Sequence, residues 1–343
     1  MTETMTVDAG VLAARVTAAL RAAGASAESA AATTEALMYA SRIGVDSHGV
    51  RLAAHYAAML RQGRLNPIPV LTTRRTAAAT AVLDADDGLG HFACYRAMEL
   101  AVGIAAESGL GAVGIVRSSH CGAAGAYALK AAEAGMIGIV TSNSDANVAP
   151  FEGAVPFHGT NPIAMAAPVA GQQPWLLDLA TSSIPFNRVR LYRSLNRPLP
   201  AGVAADAQGR PTTDAHAAEM LLPLGGPDYG FKGAGLAGMV TILSAVLTGA
   251  TTDPHMIPMT ETDDRSTARN VGQFCLAIDP ARFVGRAAYE AAMADYLGLL
   301  RQVPSTGDSR PVMAPGDREW ETARHRARDG IPIDPDTRRF LGL

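Results

Sequence analysis

Apolar residues recur three and four positions apart from Val7 to about Leu65, at Val11, Leu12, Val16 and Leu20, at Ala31, Leu37 and Met38, and at Leu52, Tyr56, Met59 and Leu60. That period predicts three helices and a helical amino-terminal lobe. Gly24 and Ser26 separate the first two helices, Ser26 and Ser29 are candidate caps for the second, and Gly63 with Asn66-Pro67 ends the third. Beyond Pro69 the pattern changes to short apolar runs between alanine-rich helices. Residues 80–85, 112–116, 137–142, 163–167 and 175–180 read as strands, with a further one at 270–278. Helices are expected at 92–108, 123–135, near 232–247 and at 288–300, and a charged helical tail follows the Pro/Gly-rich stretch 303–316. The polar stretch 193–214, with Pro198, Pro200, Gly202, Gly209 and Pro211, reads as an ordered surface loop. The whole predicts an α/β protein with helical pieces at both termini.

At 343 residues, 48% hydrophobic and 18% charged, the chain has the size and composition of a globular enzyme with a large core and a smaller lobe. A formal net charge of −3 and dispersed arginines give no basic footprint for nucleic acid or anionic lipid. A small-molecule substrate is the expected partner. The three cysteines, Cys94, Cys121 and Cys275, are odd in number and widely spaced, which argues against disulfides or a zinc site and fits a reducing compartment. The first seven residues lack the layout of a signal peptide, and no uninterrupted apolar run reaches the length of a bilayer span. A cytoplasmic, non-membrane protein is expected.

The one glycine-rich candidate for a dinucleotide loop, Gly88-Leu89-Gly90-His91-Phe92-Ala93, follows Asp84, Asp86 and Asp87, whose charges repel a pyrophosphate. It reads better as a turn and helix start. Asp46-Ser47-His48-Gly49-Val50-Arg51 gathers an imidazole, two polar neighbours and a guanidinium at a helix junction. A histidine there can move the proton that accompanies hydride transfer at a carbonyl, and an arginine can grip a carboxylate. The same residues also describe an ordinary capped turn, and spacing does not separate the two. Ser118-Ser119-His120-Cys121-Gly122-Ala123-Ala124-Gly125 joins a strand to a helix, so its amides suit a phosphate or carboxylate, or simply cap the helix. Small polar residues at other strand ends, Ser142-Asn143-Ser144-Asp145, Gly159-Thr160-Asn161-Pro162 and Asp178-Leu179-Ala180-Thr181-Ser182, describe a ligand crevice. Metalloprotease, α/β-hydrolase, P-loop and paired-cysteine motifs are absent, and His55, His91, His158, His216, His255 and His325 show no ligand spacing. These six are assigned to structure, and no metal is expected.

In order, Asp46-Ser47-His48-Gly49, Asn66-Pro67, Ser119-His120, Gly122-Ala123-Ala124-Gly125, Ala132-Glu133-Ala134-Gly135, Ile137-Gly138-Ile139, Gly159-Thr160-Asn161-Pro162-Ile163-Ala164, Asp178-Leu179-Ala180-Thr181-Ser182, Gly230-Phe231-Lys232-Gly233 and Pro315-Gly316-Asp317 give the chain its likeness. It resembles, nearly end to end, the malate/L-lactate dehydrogenase family that lacks a Rossmann fold, with its ureidoglycolate, sulfolactate, diketogulonate and piperideine-carboxylate oxidoreductase relatives. The resemblance implies an α/β fold with a non-Rossmann NAD(P)-binding domain on a large mixed sheet, residues 76–284. A helical domain is formed from both termini, 1–75 with 285–343, and a homodimer completes a shared active site. The implied reaction is hydride transfer between nicotinamide and a small 2-hydroxy or 2-keto acid. The alternatives are reduction of a cyclic imine carboxylate on the same fold and a non-catalytic ligand-binding protein.

By similarity His48 is the proton donor or acceptor, with Ser47 and Asp46 relaying or orienting it, and His120 is the competing acid/base. Substrate contacts fall on Arg51, Tyr56 and Thr160. Cofactor contacts fall on His120, Cys121, Gly122, Ala123, Ala124, Ser144, Asp178, Leu179, Ala180, Thr181, Lys232, Gly316 and Asp317. The cofactor is NAD or NADP, with NAD preferred because no cationic cluster can be assigned to a ribose. Two departures stand out. The arginine often found four residues after the first histidine is replaced by Leu52, with Arg51 one position earlier, and Asn187-Arg188 stands where many members carry Gly-Lys.

Overall fold

A computed structural model describes residues 5–260, 262–307 and 311–343. The first four residues of the amino terminus and residues 308–310 of the Pro/Gly-rich stretch lie outside the described residues. Three helices open the chain: α1 (Ala9–Ala22), α2 (Ala27–Arg42) and α3 (Ala53–Arg61). The Asp8 carboxylate caps α1 by accepting from the Gly10 and Val11 amides, and the Ser26 hydroxyl caps α2 by accepting from Ser29. Leu12, Val16, Leu20, Leu37 and Tyr56 from these helices share one core with Ile331, Ile333 and Leu341 near the carboxyl terminus. A short antiparallel pair, Met5–Val7 with Ile331–Ile333, ties the two ends together.

A seven-stranded mixed sheet forms the body: β1 (Thr72–Ala77), β2 (Thr80–Asp84), β3 (Leu110–Ser118), β4 (Ile137–Ser142), β5 (Ile163–Ala167), β6 (Trp175–Leu179) and β7 (Val271–Ile278). Its order is β1-β2-β3-β7-β4-β5-β6, with only β2 and β3 parallel. Such a sheet has no doubly wound switch point, so the missing glycine fingerprint follows from the topology. Helices α4 (Gly90–Ser108) and α5 (Gly125–Glu133) pack on one face. Ala93, Ala97, Ala101 and Ala105, four apart and fully buried, let α4 lie close to the strands.

Pattern reading misses β1 because Thr72–Ala77 is exposed at every position and carries no alternation. It forms by pairing with β2 across a tight turn, and its two arginines discourage edge-to-edge association. The stretch expected as a loop at 193–214 is preceded by helix α6 (Phe186–Ser194) and contains two strands of a small sheet, Ala204–Ala205 and Pro211–Thr212, completed by Met220–Leu221. Val148, Val189, Leu199 and Leu221 give it a core of its own. Helix α7 (Gly226–Thr241) runs on into one wide turn, Ile242–Val246. Among the described residues, Gly226–Val246 is long and apolar enough to cross a bilayer by length and composition alone, a test that core helices also pass. Asp228, Lys232 and several glycines interrupt its apolar residues, so no uninterrupted apolar run marks it in the sequence. The long helix α8 (Arg286–Gln302) packs through Leu297 on Val169 and Ala314 beside the sheet, and α9 (Asp317–Asp329) and α10 (Pro335–Leu341) close the chain.

Candidate active site

The first motif folds as two tight turns, Asp46–His48 and Val50–Leu52, separated by an extended Gly49. A Cβ at Gly49 would lie 2.2 Å from the Ser41 hydroxyl, which also accepts the Val50 amide at 3.0 Å, so only glycine lets the chain pass this close to α2. The Ser47 hydroxyl lies 2.9 Å from His48 Nδ1. Asp46 is not part of this pair. Its carboxylate is gripped by both terminal nitrogens of Arg326 on α9, one at 2.9 Å, and Arg326 also donates to the Ser41 carbonyl. Asp46 therefore anchors the turn to the carboxyl-terminal helix, a correction to the relay expected of it.

Arg51 lies on the second of the two turns. Extended Gly49 breaks the three-residue period that would stack Arg51 on His48. The guanidinium is exposed and lines a small recess with Asp46, Pro332 and Asp334.

The second motif follows β3. Ser119 locks it to the start of α4, donating to the Gly88 carbonyl and accepting from the Gly90 amide, both at 2.9 Å. The glycine pair Gly88/Gly90 thus builds a turn and helix start, while Asp84, Asp86 and Asp87 all pair with Arg117. His120 is brought against the first motif, its ring 5.8 Å from that of His48 and inclined by 25°. Tyr56, from α3 and almost wholly buried, places its hydroxyl 2.6 Å from His120 Nδ1. The Gly122 amide donates weakly to the same nitrogen at 3.4 Å. The Tyr56 hydroxyl can donate to Nδ1 or accept from it, so the contact serves either tautomer of the ring. His91, fully buried, meets the Tyr56 ring edge-on at 4.6 Å, and neither of its nitrogens has a partner in the structure.

Burial lowers the pKa of His48 and, with the charges of His48, His91, His55 and Arg269, holds that of His120 well below 6.5. Burial alone takes His91 to about 3, and it keeps Tyr56 protonated far above neutrality. The cluster is therefore neutral at pH 7. Its cationic neighbours are two buried arginines. Arg269 pairs with Asp145 and donates to the Ile257 carbonyl at 2.7 Å, and Arg64 donates to the carbonyls of Pro258 and Asp264. Burial, then Arg269, Arg64 and Arg265, lower His55 to about 4.

The strand-end motifs also converge. The Thr160 amide donates to the Ser144 hydroxyl at 3.1 Å, and Thr181 donates through its amide to the Thr160 carbonyl at 2.9 Å. Leu179 pairs with Ile163 at the edge of the sheet, and Ala180 leads to Thr181. Cys121, Gly122, Ala123 and Ala124 form the buried turn into α5. The phosphate cradle expected at its end is instead occupied by Asp178, whose carboxylate accepts the Gly125 amide at 2.8 Å. Burial pushes Asp178 up to about 6 despite that bond, with Glu319 adding to the rise. Lys232 is exposed on α7 with its ammonium over the Tyr229 and Phe231 rings, and no described contact joins it to the histidines. Gly316 opens α9, where Asp317 is engaged in a two-point pair with Arg301 at 2.7 and 3.0 Å. His91, Arg269 and Asp253 were not singled out as functional by the sequence, since nothing in local spacing marks a residue whose partners are far along the chain.

The sequence profile described as malate/L-lactate dehydrogenase matches residues 7–341. A malate dehydrogenase of Pyrococcus abyssi is 36% identical over 312 residues, covering 89% of this chain and 84% of its own length. A ureidoglycolate dehydrogenase (NAD(+)) of Escherichia coli O157:H7 is 35% identical over 319 residues, covering 93% and 90%. Matching relatives include enzymes named for NAD(+) and for NADP(+). Among solved structures, malate dehydrogenase from Entamoeba histolytica superimposes with a TM-score of 0.92 at 28% identity, over 99% of this chain and 97% of that one.

Proposed function

The chain belongs to the malate/L-lactate dehydrogenase family, an NAD(P)-dependent oxidoreductase of small 2-hydroxy and 2-keto acids, and on that premise we propose that His120, oriented by Tyr56, is its acid/base. The observation that carries this reading is the 2.6 Å contact between the Tyr56 hydroxyl and His120 Nδ1. A base held by a third group through a buried hydrogen bond is the arrangement proton transfer requires. Sequence similarity favours His48 for that role; its orienting partner, Ser47, is short and half-buried, and we assign His48 to hold the substrate oxygen from the other side.

The residues present fit a nicotinamide dinucleotide. The turn from Cys121 to Ala124 bears no long side chain, and Asp178 at the α5 terminus suits ribose hydroxyls better than a phosphate. A cleft of about 520 Å³ beside Asp317, lined by Arg301, Trp320 and Arg324, offers cations and a flat apolar wall to the other end of the molecule. The bound nicotinamide supplies or takes up the hydride. Oxidation of a 2-hydroxy acid uses the tautomer whose Nε2 is unprotonated: Nδ1–H donates to the Tyr56 oxygen, Nε2 takes the hydroxyl proton, and the ring becomes imidazolium. In the reverse direction Nε2 returns the proton to the carbonyl oxygen. The positive field of Arg269, Arg64 and Arg265 favours a carboxylate beside the histidines.

The reaction is tested by following NADH and NADPH oxidation with a panel of 2-keto acids and a cyclic imine carboxylate. Turnover of keto acids is expected; turnover of the imine alone would favour the imine-reductase reading, and none with either would overturn both. Tyr56→Phe is expected to lower kcat about tenfold, the worth of roughly 1.4 kcal/mol from one lost orienting bond. Unchanged kcat would remove Tyr56 from the mechanism.

We further propose a cytoplasmic homodimer built on α7, with the helical lobe of residues 1–71 and the carboxyl-terminal residues closing over the sheet domain, which begins at Thr72 and not at 76 because β1 pairs into the sheet from there. Leu236 and Met239 on α7, Ile242 and Val246 in the wide turn that continues it, and Leu247 just beyond are exposed. Helix α7 also touches the site, the Ala237 carbonyl and Thr241 hydroxyl both accepting from Asn161. An apolar face continuous with the substrate loops suits a second copy of the chain, and three buried free thiols suit a reducing compartment. Ile242→Asp with Val246→Asp is expected to weaken association about 30-fold or more, the loss of a central contact. Sedimentation velocity reads it out, and a monomeric wild type, or one that floats with lipid vesicles, would refute the dimer.

A further inference from the structure

One buried carboxylate lies behind the strand-end loops. Asp253 begins a short turn after α7 and is fully buried, and its oxygens draw donors from three separate elements. Oδ1 accepts from Asn143 Nδ2 at 2.9 Å, just beyond β4. Oδ2 accepts from the Gly159 amide at 3.1 Å and Asn161 Nδ2 at 2.7 Å, in the loop before β5, and from the Thr241 hydroxyl on α7 at 2.8 Å. His158 Nδ1 stands 3.5 Å away. Burial opposes ionisation here, yet the bonds from His158, Asn161, Asn143 and Thr241 hold the carboxyl below its ordinary pKa.

The loops so tied carry the candidate ligand contacts. The Ser144 amide donates to Asn161 Oδ1 at 3.2 Å, and the Ser144 hydroxyl accepts the Thr160 amide. Asn161 itself is held at φ +37°, a backbone conformation that a side-chain residue adopts at a cost and keeps only where its surroundings enforce it. Its buried amide side chain is fixed by Asp253, Thr241 and the Ala237 carbonyl.

We propose that Asp253 is a positioning residue for catalysis, fixing the loops that present Ser144 and Thr160 to the ligands and joining them to α7. The inference rests on the reading of Ser144 and Thr160 as ligand contacts. An uncharged isostere cannot replace the carboxylate. An asparagine offers one acceptor and one donor group, whereas both positions face donors. Asn143 cannot turn its amide over to compensate, because its Oδ1 accepts the Gly272 amide at 3.0 Å and its Nδ2 also donates to the Thr251 carbonyl at 2.8 Å.

The test is Asp253→Asn in the full-length protein, with Thr241→Val as a milder variant that retains the charge and removes one donor. Hydrogen exchange without ligand is expected to show lost protection at residues 157–161, fully in the first and partly in the second. kcat/KM for the 2-keto acid is expected to fall about 10²-fold in Asp253→Asn, the scale of an ångström of misplacement. The loss should appear chiefly in KM, with the pH profile of kcat unchanged in shape. Protection equal to wild type in both variants would overturn the proposal. Lost protection with an unaltered KM would instead overturn the assignment of Ser144 and Thr160 to the ligands. Should Asp253→Asn fail to fold, Thr241→Val with wild-type exchange and KM would count against the proposal by itself.

Discussion

His120→Ala is expected to lower kcat by about 10³-fold, within the roughly 10²–10⁴-fold that a positioned acid or base contributes, while the protein still binds NADH. His48→Ala should act mainly on KM. The distinction rests on how each ring is held. Tyr56 is rigid, almost wholly buried and 2.6 Å from His120, whereas the Ser47 hydroxyl can swing away from His48. Single-turnover rates and NADH fluorescence titrations on both variants would decide, and a His48→Ala protein that binds NADH but does not turn over, beside an active His120→Ala, would reverse the assignment.

The pH dependence adds a second readout of the same residue. Because burial and neighbouring charge lower His120 well below 6.5, kcat/KM for oxidation of the hydroxy acid should stay level through neutrality and fall only on the acid side of 6.5. The sign for stability is the same. His48, His55, His91 and His120 all have depressed folded pKa values, so below pH 6.5 the unfolded chain binds more protons than the folded one. Stability is fully present above 6.5 and is lost as pH falls toward the folded values, about 4 for His55 and about 3 for His91.

Much of this architecture is written in local pattern. The period of Leu12, Val16 and Leu20 specifies α1, and the short runs at 137–142 and 163–167 coincide with β4 and β5 because their burial and their composition agree. Strand β1 escapes because an exposed edge needs no apolar side chains. At the site, the two histidine motifs were legible as chemistry but not as partners. Tyr56 and His120 are 64 residues apart, and Asp46 and Arg326 are 280 apart, so which of two nearby groups a carboxylate or imidazole meets is fixed by packing. Arg51 shows the same limit in one turn of chain. A single extended glycine moves it from the face of His48 to that of Asp334, and Asp253 shows it over a longer span, where donors from residues 143, 159, 161 and 241 meet one carboxylate.

Asp145→Ala is expected to destabilise the protein by about 3–5 kcal/mol, the cost of leaving a buried charge without its partner. The Arg269 side chain is 5% exposed and that of Asp145 18%, so water cannot replace the lost carboxylate. The pair also clips a loop, since Asp145 accepts the Met259 amide at 3.2 Å and Arg269 donates to the Ile257 carbonyl. Replacing both residues should be milder than replacing one: Asp145→Leu with Arg269→Met removes the charge and its counter-charge together, and a well-packed apolar pair is often neutral. Urea unfolding of the single and double variants measures the difference. A single variant within about 1 kcal/mol of wild type would mean that the pair behaves like a solvated surface bridge. In the double variant the loss of Arg269 should also let the pKa of His120 rise, because its positive charge is one of the causes holding that ring neutral. The acid limb of the oxidation profile should then move to higher pH, so that one substitution pair reports on the buried ion pair through stability and on the acid/base through its titration.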